Sequence, residues 1–378
     1  MTAFQGTLPA ADERDQERIL DAFCRLVRID SPSGQEGAIA EYLESELRRL
    51  GLDTWRDGAG NVLGRLAGRG RGAARPWLLL SAHMDTVQPG CGIQPQVVDG
   101  VVRSDGTTIL GADDKAGIAA ILEALGYVVA RGLEHRPLEV VFTVQEETGL
   151  SGSKALDMAT LRARQAVVLD SNGPVGTIIN QAPASDSIEV VVRGKAAHAG
   201  VAPELGINAL QAVAQALASM RLGRIDAETT ANFGVISGGT ATNVVPDRVV
   251  LKGEARSRSE SKLVAQTEHM VGLLRRAADA LGAQVEASVR RSYGAYDIPE
   301  SAPLIQEVSA ALRACGLEPR LQPSGGGSDA NVFNAAGIEA VNLGVGYTNP
   351  HSVDEQLAVA DLLAMPRVVL ALLLSAGR

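Results

Sequence analysis

Hydrophobic and polar positions change their period several times along this chain. Ile19, Phe23, Leu26 and Val27 recur at helical spacing until Ser31-Pro32-Ser33-Gly34 interrupts them, which predicts a first helix. A second is predicted over 36–50, with Ile39, Leu43 and Leu47 on one face and Gly51 at its C-terminal cap. Beyond it, short apolar runs at 77–82, 138–144 and 166–169 are separated by a helical stretch at 116–131 and a short one near Gly152. Apolar runs without polar alternation fit strands buried on both faces, and their separation by helices predicts an α/β sheet.

From Ser187 the texture changes. Ile188, Val190 and Val192 alternate with polar residues, as does the stretch Val249, Leu251, Gly253, and helical patterns occupy 207–220 and 262–281. Half-buried strands with two helices predict a smaller α+β domain whose sheet has one solvated face. The buried α/β pattern returns from about Ser301, with a helix over 304–314, an apolar run at 339–343 and a closing helix over 359–374. The organisation expected is one α/β catalytic domain, 1–183 and 293–378, interrupted by an inserted domain, 184–292.

Composition narrows the function classes. A chain of 378 residues with 46% apolar and 21% charged residues is globular and long enough for two domains. Its 35 basic and 44 acidic residues give a net charge of −9 without any basic stripe, which argues against nucleic acid and anionic membranes as partners. No long apolar run suggests a membrane span, and the opening MTAFQGTLPAADERDQER lacks the pattern of a secretory signal, so a cytoplasmic location is expected. Cys24, Cys91 and Cys315 fit reduced structural thiols.

The informative feature is where acids and histidines fall. The run at 77–82 ends in His83-Met84-Asp85, the run at 138–144 in Gln145-Glu146-Glu147, and the run at 166–169 in Asp170. Ligands of open α/β sheets bind outside the carboxyl ends of the strands, so these residues can share one rim. Asp113-Asp114 at the mouth of the third helix and His351 after the run at 339–343 join them. Each motif alone reads more readily as a polar strand end, a solvated loop or a helix start, whereas their joint occurrence points to a site. So many carboxylates repel one another unless cations compensate, and imidazole with carboxylate suits zinc or a similar divalent ion. Two imidazoles and four or more carboxylates suit two metals bridged by one carboxylate, about 3.5–4 Å apart, which polarise a carbonyl and make hydroxide from water. That is hydrolytic chemistry. His135 and His269 lie in polar surroundings away from the strand ends and are not assigned to it. No G-x-S-x-G elbow, P-loop or strand-linked G-x-G-x-x-G occurs. Gly325-Gly326-Gly327 is read as backbone that approaches a ligand closely, followed by a helix from Asp329.

Ser81-Ala82-His83-Met84-Asp85-Thr86-Val87, Gly111-Ala112-Asp113-Asp114-Lys115-Ala116-Gly117, Gln145-Glu146-Glu147-Thr148-Gly149 and Gly326-Gly327-Ser328-Asp329-Ala330 together resemble the di-zinc metallopeptidase family of aminoacylase, glutamate carboxypeptidase and tripeptidase T. The peptidase T-like branch is the most similar, through 111–117 and 169–176. The resemblance implies a metallopeptidase-type α/β catalytic domain with an inserted α+β lid that also dimerises. It implies that Asp113 bridges two divalent metals, zinc with cobalt or manganese as alternatives, through a cis peptide bond to Asp114. His83 and Asp170 would complete one shell, Glu147 and His351 the other. Glu146 would be the general base, and Asp85 would accept the second ring N–H of His83.

In the lid, the resemblance implies that His198 stabilises the oxyanion and that Asn243 and Arg256 bind polar or carboxylate groups of a short peptide. An Asp at position 170 accompanies aminopeptidases in this family, so an aminopeptidase acting on short peptides is expected. The alternatives are an N-acyl amino acid amidohydrolase or carboxypeptidase and, from another class, a non-catalytic peptide-binding protein. A homodimer is expected, formed through a sheet edge near 188–192, with His198 serving the site of the other subunit.

Overall fold

The computed structural model describes residues 13–374. Residues 1–12, on which the expectation of no secretory leader largely rests, lie outside the described residues. In chain order the principal elements begin with α1 (Glu13–Val27), α2 (Gly37–Arg49), β1 (Asp53–Arg56), β2 (Val62–Leu66), β3 (Leu78–His83), α3 (Ala112–Arg131), β4 (Leu138–Thr143), β5 (Gln165–Ser171) and β6 (Thr177–Ala182). They continue with β7 (Ala184–Arg193), α4 (Ala209–Ala218), β8 (Thr229–Gly238), β9 (Arg248–Ser257), α5 (Glu260–Ala280) and β10 (Gln284–Tyr293). The chain closes with α6 (Pro303–Ala314), α7 (Asp329–Ala335), β11 (Glu339–Gly344) and α8 (Val359–Leu374).

These elements form two compact units. Asp297–Pro323 and the chain from Ser328 onward group with the residues up to Asn180, while Gln181–Tyr296 and Ser324–Gly327 make the second. The joining of Ser324–Gly327 to the second unit is not visible in chain order.

In the first unit the main sheet runs β1-β2-β4-β3-β5-β11-β6. Strands β4, β3, β5 and β11 are mutually parallel, and β3 and β4 are buried along their whole length. Their lack of polar alternation follows from that double burial, since helices cover the sheet: α3 packs on β3 and β5, and α1 and α8 pack on α3. The apolar stripe Ile39, Leu43 and Leu47 of α2 is fully buried, and the amide of Gly51 donates to Arg48 O 2.9 Å away to close the helix. Regular helix in α3 starts only after Asp113 and Asp114, whose backbone angles are not helical. Parallel β3, β4 and β5 all point their carboxyl ends the same way, which fixes where the chemistry of this unit can sit.

The second unit is an antiparallel sheet backed by α4 and α5, which pack on each other. Its order is Gly223–Arg224, β8, β9, β7, β10. The residues near 188–192 therefore do not form an edge. Strand β7 is paired along both sides, Val190 opposite Leu251 on β9 and opposite Ala287 on β10. The alternation of Ile188, Val190 and Val192 reports one face buried on the helices and carries no information about position in the sheet. Among the described residues the edges are β10 and the part of β8 beyond its short pairing with Gly223–Arg224. No helix among the described residues is long and apolar enough to cross a membrane.

Candidate metal centre

All residues of the centre belong to the first unit. His83 is the last residue of β3, Asp113 lies at the mouth of α3, Glu146 and Glu147 follow β4, Asp170 is near the end of β5, and His351 lies in the loop after β11. The peptide bond between Asp113 and Asp114 is cis.

Asp113 stands at the middle. Its Oδ1 is 3.0 Å from Nε2 of His83, and its Oδ2 is 3.3 Å from Nε2 of His351. Each histidine faces a second carboxylate: Asp170 Oδ1 lies 3.6 Å from His83 Nε2, and Glu147 Oε1 lies 3.0 Å from His351 Nε2. The ligand-bearing atoms of His83, Asp113 and Glu147 fall within 4.8 Å of one another, as do those of His83, Asp114 and Asp170.

The electrostatics show what the cluster lacks. Burial pushes the Asp170 carboxyl up to about 7 against the hydrogen bond to His83. Burial, then the charge of Asp170, holds Glu146 and Asp114 well above the usual carboxylate range. Burial lowers the His83 imidazole, but its bonds to Asp113, Asp170 and Asp85 outweigh this and hold it well above its usual value. Hydrogen bonds to Asp113 and then Glu147 raise His351 to about 10. Asp113 is held low by the two imidazoles despite its burial. Without cations the cluster thus takes protons on groups that ordinarily give them up. Oδ1 of Asp114 is buried and accepts no hydrogen bond, while the buried Oε1 of Glu147 has the His351 ring 3.0 Å away. Two imidazoles, at least four carboxylates and a buried carboxylate oxygen without a donor make a set that fits two divalent cations.

Neighbouring groups orient this set. Nδ1 of His83 is 2.9 Å from the backbone carbonyl of Asp85, which fixes the tautomer, while the Asp85 carboxylate is more distant at 3.4 Å. The ring nitrogen thus faces two oxygens of Asp85, the main-chain one being the nearer. The carboxylate also accepts the amides of Glu146 (2.9 Å) and Glu147 (3.3 Å) and the hydroxyl of Ser33 (2.6 Å). It pins the turn that carries both glutamates. Three residues not assigned from the sequence also support the centre. The side chain of Asn342 brackets the main chain of Asp170, accepting its N–H (2.9 Å) and donating to its carbonyl (2.8 Å). The Tyr347 hydroxyl donates to Asp170 Oδ1 at 3.3 Å. Buried Glu355 accepts the amide of Asp113 at 2.9 Å.

His198, Asn243 and Arg256 belong to the second unit. His198 and Asn243 are exposed neighbours: His198 bridges to Val244, and Asn243 O accepts the amide of Ala199 at 2.9 Å. Arg256, on β9, pairs with Glu254 at 2.9 Å. Gly327 does make a close approach, but to a side chain of its own unit: a Cβ there would fall 2.4 Å from the ring of Tyr293. The helix expected from Asp329 is present as α7, with Ser328 and Asn331 forming a capping box. His135 stays outside the centre, as expected, but it and Arg136 are buried, Arg136 bonding Glu307 and Pro76 O.

The model of peptidase family M20/M25/M40 matches residues 79–375. An uncharacterised protein of Bacillus subtilis, YqjE, is 40% identical over 372 residues, covering 96% of this chain and all of its own. Aminopeptidase PepT of Bacillus cereus superposes with a TM-score of 0.85 at 40% identity, covering 94% of this chain and 97% of its own. A tripeptidase of Staphylococcus aureus superposes with a TM-score of 0.90 at 36% identity, over 98% and 99%.

Proposed function

We propose that this chain, which belongs to peptidase family M20/M25/M40 and to its peptidase T-like branch, cleaves the N-terminal residue from short peptides, with Glu146 as general base. It is a peptide hydrolase of the aminopeptidase type. The observation that carries the site assignment is Asp113, whose two oxygens each face a different histidine, each backed by its own carboxylate. Asp113 would therefore be shared by the two ions, with His83 and Asp170 holding one and Glu147 and His351 the other.

When bound, two divalent ions, for which we propose zinc, supply Lewis acidity to the peptide carbonyl and acidify the attacking water. Glu146 takes a proton from that water as its oxygen bonds to the carbonyl carbon. The peptide C–N bond then breaks as Glu146 hands the proton to the leaving amine. Its burial supports this role, because desolvation makes a carboxylate a stronger base. Asp85 holds Glu146 in place through the main-chain bond at 2.9 Å.

Arg256 and Asn243 are read as the groups that bind the polar parts of the peptide, Arg256 exchanging Glu254 for a peptide carboxylate. His198, exposed on the second unit, is read as the oxyanion partner, supplied by the other subunit of a homodimer. The free thiols of Cys24, Cys91 and Cys315 suit a reducing compartment, and we place the enzyme in the cytoplasm. The test is a panel assayed with added metal: di- and tripeptides with free amines, the same peptides N-acetylated, and N-acyl amino acids. Release of the N-terminal residue from free-amine peptides is expected. Preference for N-acyl amino acids would replace the aminopeptidase reading with an amidohydrolase, and binding without hydrolysis would remove the enzyme.

A further inference from the structure

Glu355 is buried, is a further acid beside Asp113, and takes no part in the reaction described above. Its surroundings explain why a carboxylate is there. Its Oε2 accepts the amides of Leu110 (2.9 Å) and Gly111 (2.7 Å), and its Oε1 accepts the amide of Asp113 (2.9 Å). Gly111 has φ +73°, and successive amides in such a turn form a concave anion site. The chain's own carboxylate fills it from more than two hundred residues away.

The same residue stands at the foot of the loop that carries His351. This loop connects Tyr347–Thr348 to the paired strand Gln356–Ala358, and it bends through Asn349 and His351, both at positive φ. The His351 side chain is half exposed, and its ring lies against Asp113 and Glu147. Glu355, four positions on, ties this loop to the segment bearing Asp113. We propose that Glu355 is a positioning residue that sets Asp113 and His351 at the spacing needed to share one ion. Its three bonds need two acceptor oxygens. A glutamine offers one, so its amide NH2 would face a backbone N–H and at least one buried amide would lose its partner.

This assignment rests on the two-ion reading of the site, and the test separates the two. Metal-free wild type and Glu355→Gln are titrated with Zn²⁺ against a chromophoric chelator, with His351→Ala and the double variant alongside. Supporting residues of this kind change metal affinity by about 10–100-fold. We expect Glu355→Gln to weaken one of the two ions by about that factor and to leave the other within about threefold. In the double variant the loss should not exceed that of His351→Ala, since both changes act on one ion. Glu355→Asp, which keeps both acceptor oxygens on a shorter arm, should lose less and serves where the glutamine variant does not fold. Unchanged affinities, equal weakening of both ions, or additive losses in the double variant would overturn the assignment. A wild-type chain that binds no ions would overturn the two-ion reading instead.

Discussion

Replacing Asp170 with asparagine should stabilise the metal-free protein, although Asp170 is read as a ligand. The wild-type carboxyl rises from 3.8 to about 7 in the folded state, chiefly through burial. Between these values the folded chain holds a proton that the unfolded chain has released, so stability falls as pH rises through this window and is level above it. At 1.36 kcal/mol per pH unit, the cost of Asp170 grows from about 1.7 kcal/mol at pH 5 to about 4 kcal/mol at pH 8. Asparagine carries no such charge, but it disturbs the bond from Tyr347, worth about 1 kcal/mol. In chelator, Asp170→Asn should therefore be close to neutral at pH 5 and more stable than wild type by about 3 kcal/mol at pH 8. For a unit of this size that corresponds to a rise of about 6 °C in Tm. With Zn²⁺ the order should reverse, because the ions stabilise wild type more than the variant. Thermal melts of both proteins at the two pH values, with chelator and with metal, measure this. An equal difference at both pH values, or a metal-free variant less stable than wild type at pH 8, would refute the electrostatic reasoning.

Glu146→Gln should bind both ions and fold but lose about 10²–10⁴-fold in kcat, since an amide cannot take the proton; metal analysis and peptide assays check both. Glu147→Gln should instead weaken metal binding, and opposite phenotypes would exchange the two roles. Arg256→Ala should lower kcat/KM for peptides with a free carboxylate by about 10–100-fold, the loss of a charged hydrogen-bonded pair, and leave C-terminally amidated peptides nearly unaffected. Homodimers of Glu146→Ala or His198→Ala should both be nearly inactive, while random subunit exchange between them should restore about a quarter of wild-type activity, because half the dimers are mixed and each holds one intact site. Absence of recovery after confirmed exchange would exclude the arrangement across subunits.

The centre was legible because its residues end apolar runs. His83, Glu146-Glu147 and Asp170 each lie at or just beyond the carboxyl end of a strand of the parallel sheet, and such ends converge whatever their separation in sequence. Glu355 was not legible, since its partners are backbone amides, which any residue supplies, brought together only by the turn at Gly111. The same holds for the carbonyl of Asp85 that orients His83. Burial on both faces made β3 and β4 plain, whereas β10 is exposed along most of its length and alternates only briefly, over Val285, Ala287 and Val289. Missing that strand is what turned β7, the middle of the second sheet, into an expected edge.

Two divalent ions on this carboxylate and imidazole cluster are proposed to make the chain a peptidase. Protein stripped by chelator and then titrated with Zn²⁺, with bound ions per chain and tripeptide hydrolysis followed together, tests it most directly. The stripped protein should show no hydrolysis, and activity should return as occupancy approaches two ions per chain. Full activity in metal-free protein, or activity that does not follow occupancy, would contradict it.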